Sequence, residues 1–318
     1  MKVSILLPVY NAEATLQETI SSIINQTFTD FELIIINDGS DDNSENIILQ
    51  NTDKRIRYYK NINNKGLIFT LNRGLSLCKG EYIARIDADD IAVLNRLEIQ
   101  VNFLDQNPFI DMVGSARIMF GNGVHKRIQR FPLKDSDIRA YFYIACPIVH
   151  PSVMLRNSTI KKYNLQYDAN FPHMEDYKLW YDILKVGKVE NLKTPLIYYR
   201  VSSKQISSKY QKEQQSKNKI FRQSIISDFL NKKNICFNQI NQDLVSNIIN
   251  LKCDNITEEK IKAAILFIIL ISLQTTLRHL FMMICMKKIW EIPYFKIKYL
   301  GAIVLHHSHL RSFSYLAI

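Results

Sequence analysis

Between Val3 and Gln106, short apolar runs alternate with amphipathic ones, and nothing else in the chain limits its fold as much. VSILLPV (3–9), FELIIIN (31–37), IRYYK (56–60) and EYIARID (81–87) have the length and β-rich composition of strands. Between them, Ala12 to Ile24 puts Leu16, Ile20, Ile23 and Ile24 on one helical face, and Leu67 to Cys78 and Asn95 to Gln106 also read as helices. The Ser and Asp residues of DGSDDNSE suit the cap of another helix. Strands that are apolar throughout, separated by helices, predict a parallel sheet covered on both faces. In such a sheet ligands bind at the carboxyl ends of the strands. PVYN, NDGSDD and DADD all stand at such ends.

Further along the pattern is more mixed. VHPSVMLR (149–156) contains a short strand, MEDYKLWYDILKVG (174–187) a helix closed by Gly187, and LIYYR (196–200) a last strand. Beyond Arg200 the chain turns polar and basic, which places a domain boundary near 205 and divides it into 1–205 and a helical 206–318. Residues 1–200 carry 24 Lys and Arg against 23 Asp and Glu, whereas 201–318 carry 17 against 7, so the net charge of +11 is almost all C-terminal. Such a skew implies an anionic partner. The apolar run Ala263–Leu273 is too short for the ~20 residues of a membrane span. The interleaved Lys287, Lys288, Trp290, Tyr294, Phe295, Lys296, Lys298 and Tyr299 suit either an anionic membrane surface or a solvated face. No nucleic-acid module accompanies them. Five scattered Cys without a CxxC pair fit a reducing cytoplasm.

The chemistry concentrates at the strand ends. Asp87, Asp89 and Asp90 lie within four positions, and D-x-D at a strand end either holds a hard divalent cation or caps the next helix. PVYN and NDGS offer an aromatic ring and a carboxylate to a nucleobase, and NNKGL a cation and a Gly-permitted turn. Glu175 and Asp176 open a helix, where a carboxylate serves either as general base or as a partner of the helix dipole. His150, alone before Pro151, reads as structural or acceptor-side and not as a metal ligand. His306, His307 and His309 have no carboxylate or Cys nearby and read as surface residues. A nucleotidyltransferase would want Gly and a cation after the first strand, and PVYNAEATL has neither.

LLPVYN, IINQTFTDFELIIINDGSDDNS, NKGLIFTLNRGL, GEYIARIDADD and MEDYKLW occur in the order seen in family 2 glycosyltransferases. The resemblance spans residues 1 to about 200 and implies the GT-A fold, a Rossmann-like, mostly parallel α/β sheet with flanking helices. Within the family the chain is similar to bacterial enzymes of the β-1,3-N-acetylglucosaminyl and galactosyl type, which extend lipooligosaccharide, O-antigen or capsule chains. The resemblance implies an inverting transfer of a hexose or N-acetylhexosamine from a UDP-sugar to a lipid-linked or lipooligosaccharide acceptor. It implies Mn²⁺ or Mg²⁺ as cofactor, and a cytoplasmic enzyme peripheral on the inner membrane face. By the same resemblance Pro8 and Tyr10 would line the uracil pocket and Asp38 would bond the base. Lys65 would lie over the nucleotide. Asp87 would contact the ribose or the water shell of the metal, Asp89 would ligate the metal, and Asp90 would support them. Asp176 would be the general base, oriented with the acceptor by Glu175. Asn37-Asp38 replaces the usual acidic pair before Gly39, and Leu71-Asn72-Arg73 an Arg-Asn pair of other branches. A catalytically inactive sugar-nucleotide or lipid-surface binding protein is the alternative. It would be expected to have lost one of the acids, yet Asp38, Asp87, Asp89 and Asp176 are all present.

Overall fold

The computed structural model describes residues 1–202 except 122, 143 and 144, together with 214, 216–218, 220–222, 224, 225 and 228. The chain divides into two units, Met1–Asn218 and Lys219–Ile318, and the fold below is that of the first. The few described residues of the second are helical. The C-terminal apolar run, the basic aromatic stretch and the three late histidines lie outside the described residues.

Strands β1 (Val3–Val9), β2 (Phe31–Asn37), β3 (Ile56–Lys60) and β4 (Tyr82–Arg85) are parallel, with α1 (Leu16–Ile24), α2 (Ser44–Gln50) and α3 (Leu67–Leu77) between them. Every residue of β1, β2 and β4 is buried, so both sheet faces are covered, as their unbroken apolar runs predict. There follow β5 (Ile91–Ala92), α4 (Arg96–Gln106), β6 (Met112–Phe120), β7 (Arg127–Gln129) and α5 (Asp135–Tyr141). A 3₁₀ turn (His150–Ser152), β8 (Met154–Arg156), α6 (Asn157–Lys162), α7 (Glu175–Val186) and β9 (Val189–Arg200) complete the unit. Among the described residues the sheet runs β3-β2-β1-β4-β8-β6-β9-β5, with β7 on the flank of β6.

Register puts three strand ends at one rim. Val9 pairs with Asn37, and Leu6 pairs with Arg85, the last pair of that ladder. The Leu6 carbonyl accepts from Ile86 on the β4 side. By strand alternation the donor that Pro8 lacks faces that same side, past the end of the β4 ladder. The missing amide donor of Pro8 thus falls beyond the paired part of the β1–β4 ladder.

Several boundaries depart from the sequence expectation. The first helix starts at Leu16 and not at Ala12, because the amides of Ala12 and Glu13 bond the side chains of Ser44 and Asp42 instead of entering the helix. The segment 149–156 holds a 3₁₀ turn before its three-residue strand, and the last strand reaches back to Val189. The sheet also gains antiparallel neighbours in its second half, where β8 lies between β4 and β6 and runs against both. Among the described residues no helix is long and apolar enough to cross a membrane.

Candidate functional site

The ends of β1 and β2 are tied together first. The Asp38 amide donates to the Val9 carbonyl at 2.8 Å. Asn11, at φ 47°, donates its amide to Ser40 Oγ and accepts the Asp41 amide on its side chain. Pro8 is buried, while the neighbouring Tyr10 is 48% exposed and free to offer a ring face. Gly39 sits at φ +69°, where an added Cβ would lie 2.6 Å from the Asn63 carbonyl carbon, so only glycine lets the NDGS turn approach the 61–66 loop this closely.

Asp38 is 4% exposed, and its carboxylate faces that loop. Oδ1 accepts from the Asn61 side chain at 2.6 Å and the Lys65 amide at 2.9 Å, and Oδ2 from the Gly66 amide at 2.9 Å. Its oxygens are thus bonded by protein donors, since a buried carboxylate must be satisfied and the loop presents three donors to it. Lys65 itself is exposed. Arg73 donates to the Lys60 carbonyl and the Asn61 side chain, which fixes the same loop from behind.

The DADD stretch leaves β4 beside this rim. Its backbone is held to α1, because Thr15 donates to the Ala88 carbonyl at 2.9 Å and Thr19 to the Asp90 carbonyl at 2.8 Å. Arg85, 2% exposed, grips both oxygens of Asp87 with its two terminal nitrogens. Asp90 is fully buried; its Oδ1 accepts the Arg200 amide at 2.8 Å, and Oδ2 has no hydrogen-bond partner. Burial, then the charges of Asp87 and Asp89, push the Asp90 carboxyl well above the usual carboxylate range. The Arg200 side chain also donates to the Asp89 carbonyl and pairs with Glu18. Carboxylate oxygens of Asp87, Asp89 and Asp90 come within 4.8 Å of one another. Clustered hard-oxygen donors, one with an orphaned buried oxygen, fit Mg²⁺ or Mn²⁺.

Glu175 and Asp176 form the first turn of α7, and Glu175 is 7% exposed. Asp176 is pushed up to about 7, mainly by burial and next by the charge of Glu175; Arg85 opposes the shift and Asp87 adds to it. Glu175 is raised too, again chiefly by burial. These interactions place the helix acids within electrostatic reach of the Arg85–Asp87 pair. Tyr167 feels the charges of both groups; its hydroxyl lies 2.9 Å from His150 Nε2 and its backbone is bonded in both directions by the Asn72 side chain. His150 packs edge-on to Trp180 at 5.7 Å, and burial with the nearby Arg85 charge holds its pKa well below the ordinary value. Its contacts are with the Tyr167 hydroxyl and the Tyr167 and Trp180 rings. Asn72 positions a loop, and Arg73 bonds the protein.

The sequence reading missed Arg85 and Arg200. Arg85 had a signal, since a cation inside an apolar strand demands a buried partner and Asp87 follows two residues later. Arg200 had none, because its contacts lie 110 and 111 residues away.

A sheet of this topology with a carboxylate cluster at its rim has relatives. Residues 4–163 match Glycosyl transferase family 2. The chain belongs to this family. An uncharacterized glycosyltransferase of Haemophilus influenzae is 35% identical over 250 residues, covering 75% of this chain and 77% of the relative. The Escherichia coli UDP-Glc:alpha-D-GlcNAc-diphosphoundecaprenol beta-1,3-glucosyltransferase WfgD is 32% identical over 213 residues, covering 66% of this chain and 81% of WfgD. The crystal structure of S. aureus TarS 1–349 in complex with UDP-GlcNAc shares the fold, with a TM-score of 0.61 at 17% identity over 85% of this glycosyltransferase and 82% of that chain. This is the GT-A fold expected from the sequence. The matched residues include the rim and DADD but end before Glu175 and Asp176.

Proposed function

We propose that this family 2 enzyme transfers a hexose or N-acetylhexosamine from a UDP-sugar to a hydroxyl of a growing cell-surface glycan, with inversion. The observation that carries the reading is Asp176: a carboxylate raised to about 7 within electrostatic reach of the DADD cluster. A base with a pKa near the working pH combines a useful deprotonated fraction with the strongest driving force for proton removal. WfgD by its name uses a UDP-hexose and a diphosphoundecaprenol-linked acceptor, and TarS was crystallised with UDP-GlcNAc, which favours a UDP-sugar and a lipid-linked glycan here.

In this reading Tyr10 stacks on uracil beside Pro8. Asp38 serves the base pocket and fixes the 61–66 loop that brings Lys65 to the nucleotide. Asp89 would hold Mn²⁺ or Mg²⁺, with Asp87 held toward the ribose by Arg85 and Asp90 in support. A cation bound there supplies positive charge to the departing diphosphate. Asp176 takes the proton of the acceptor hydroxyl, and Glu175 orients acceptor and base. The hydroxyl oxygen bonds to the anomeric carbon as that carbon's bond to UDP breaks on the opposite face. One displacement without a glycosyl-enzyme intermediate inverts the centre.

We further propose that 1–205 is the catalytic domain, and that the basic 206–318 places the enzyme in the cytoplasm, peripheral on the anionic inner membrane face. The 17 Lys and Arg against 7 acids beyond residue 200 support this. Salt-sensitive binding to anionic liposomes tests it, and equal binding to neutral liposomes would remove it. The transfer reading is tested by mass spectrometry of products from the purified protein with UDP-GlcNAc, UDP-GalNAc, UDP-Gal and UDP-Glc and a lipid-linked acceptor. Absence of any transferred sugar overturns it.

A further inference from the structure

The DADD cluster has a counterpart of opposite sign in the second half of the sheet. Arg117 lies on β6 across from Gln129 of β7, and Arg127 lies across from Met119, so the two arginines sit diagonally on one face of the β6–β7 pair. The Arg117 guanidinium is fixed in orientation. It stacks on Tyr199 at 4.1 Å and faces Phe131 at 5.9 Å, and its Nε donates to Gln129 at 2.9 Å. Tyr199 precedes Arg200, whose amide bonds Asp90 at 2.8 Å, so this face adjoins the carboxylate cluster through a single peptide unit.

Arg73, Arg96 and Arg156 are held by backbone carbonyls, while Arg55, Arg57, Arg85, Arg139 and Arg200 each have an acid in ion-pair contact. Among the described residues neither Arg117 nor Arg127 has one. Two adjacent guanidinium groups repel, and one of them is partly buried against aromatic rings. Burial pulls Arg117 below the usual arginine range; Tyr199 and the charge of Asp90 oppose the shift, and the charge of Arg127 adds to it. A stacked, partly desolvated guanidinium beside a second cation, with no acid in ion-pair contact, can take up a further anion. Planar donor forks fixed in this way match phosphoryl oxygens.

We propose that Arg117 and Arg127 form a subsite for a phosphoryl group on the side of the DADD cluster away from the nucleotide strands. The inference deepens the proposed transfer reaction and rests on it for the source of the group, which is the diphosphate of either the UDP donor or a lipid-linked acceptor. The subsite holds and orients the anion and takes no part in bond making.

The test uses the full chain and the variants Arg117→Met, which keeps most of the packing volume, and Arg127→Glu at an exposed position. Titrations with inorganic diphosphate, UDP and uridine are compared, together with KM for a sugar diphosphate carried on a short prenyl chain. Each variant is expected to lose about 10-fold in affinity for inorganic diphosphate, the size of one charge-assisted contact, while uridine binding is unchanged. A matching loss for UDP assigns the donor as source. A rise in acceptor KM at unchanged UDP affinity assigns the acceptor. If Arg117→Met does not fold, Arg127→Glu decides alone. Unchanged diphosphate, UDP and acceptor behaviour in Arg127→Glu overturns the subsite. Loss of diphosphate binding in a protein that transfers no sugar at all leaves the subsite standing and removes the transferase reading.

Discussion

Arg85 holds both carboxylate oxygens of Asp87, two residues further along the same chain, from a position sealed beneath the strand end. The pair answers how three aspartates can stand within four positions: a cation of the protein itself sits among them. Arg85 Nε has no partner, and the guanidinium also acts on Asp90, Glu175 and Asp176, so one residue balances charge for both halves of the cleft.

Removing that cation should be costly. Taking one partner from a buried ion pair costs about 3–5 kcal/mol, and the 31% exposure of the Asp87 side chain puts this loss toward the lower end. Arg85→Met is expected to lose stability of that order in urea unfolding, and Arg85→Lys to lose less, because a point charge replaces the bidentate fork. A variant as stable as the parent would show that Arg85 does not balance the acids.

Asp176→Asn removes the proposed base and keeps its shape. Turnover should fall by about 10²–10⁴-fold, the contribution of general base catalysis, while UDP affinity measured by calorimetry stays within a factor of about two. Near-normal turnover would remove Asp176 from the mechanism.

The same carboxylate sets a pH dependence of opposite sign for activity and stability. Activity requires the deprotonated form, so kcat/KM should rise with pH through about 7 and level off above. The folded protein holds a proton that the unfolded chain releases between 3.8 and about 7. The contribution of this group to stability is therefore full below that window and is lost as pH rises through it. Melting temperatures of the ligand-free protein across this range should decline more steeply in the parent than in Asp176→Asn, which keeps the raised carboxyls of Asp90 and Glu175.

Asp89→Ala should abolish metal-dependent transfer. The parent should lose activity in EDTA and recover it with Mn²⁺ or Mg²⁺. Activity indifferent to EDTA would mean that the DADD acids serve no cation.

Strands β1, β2 and β4 could be read from the sequence to within two residues, because a strand buried on both faces is an unbroken apolar run; the partly exposed β3 was marked by its β-rich composition instead. Lys65 and Asp38 stood out in the sequence as candidates, but their connection did not: the bonds from the Lys65 and Gly66 amides to Asp38 form between residues 27 and 28 positions apart. Strand β6 was illegible, since MVGSARIMF mixes small, apolar and charged residues and its far end carries Arg117 on an aromatic stack. The 3₁₀ turn at His150 interrupts a segment whose composition reads as strand. Roles made by long-range pairing leave no local pattern to find.

Arg200 closes the DADD loop from 110 residues downstream, which gives the site a place in time as well as in space. On a chain emerging from the ribosome the aspartates appear long before the residue that pins Asp90. Joining segments so far apart in sequence carries a loop-closure cost that local contacts do not. A half-made chain carries the acids without their clasp, and Asp90 is pinned only once β9 has been made.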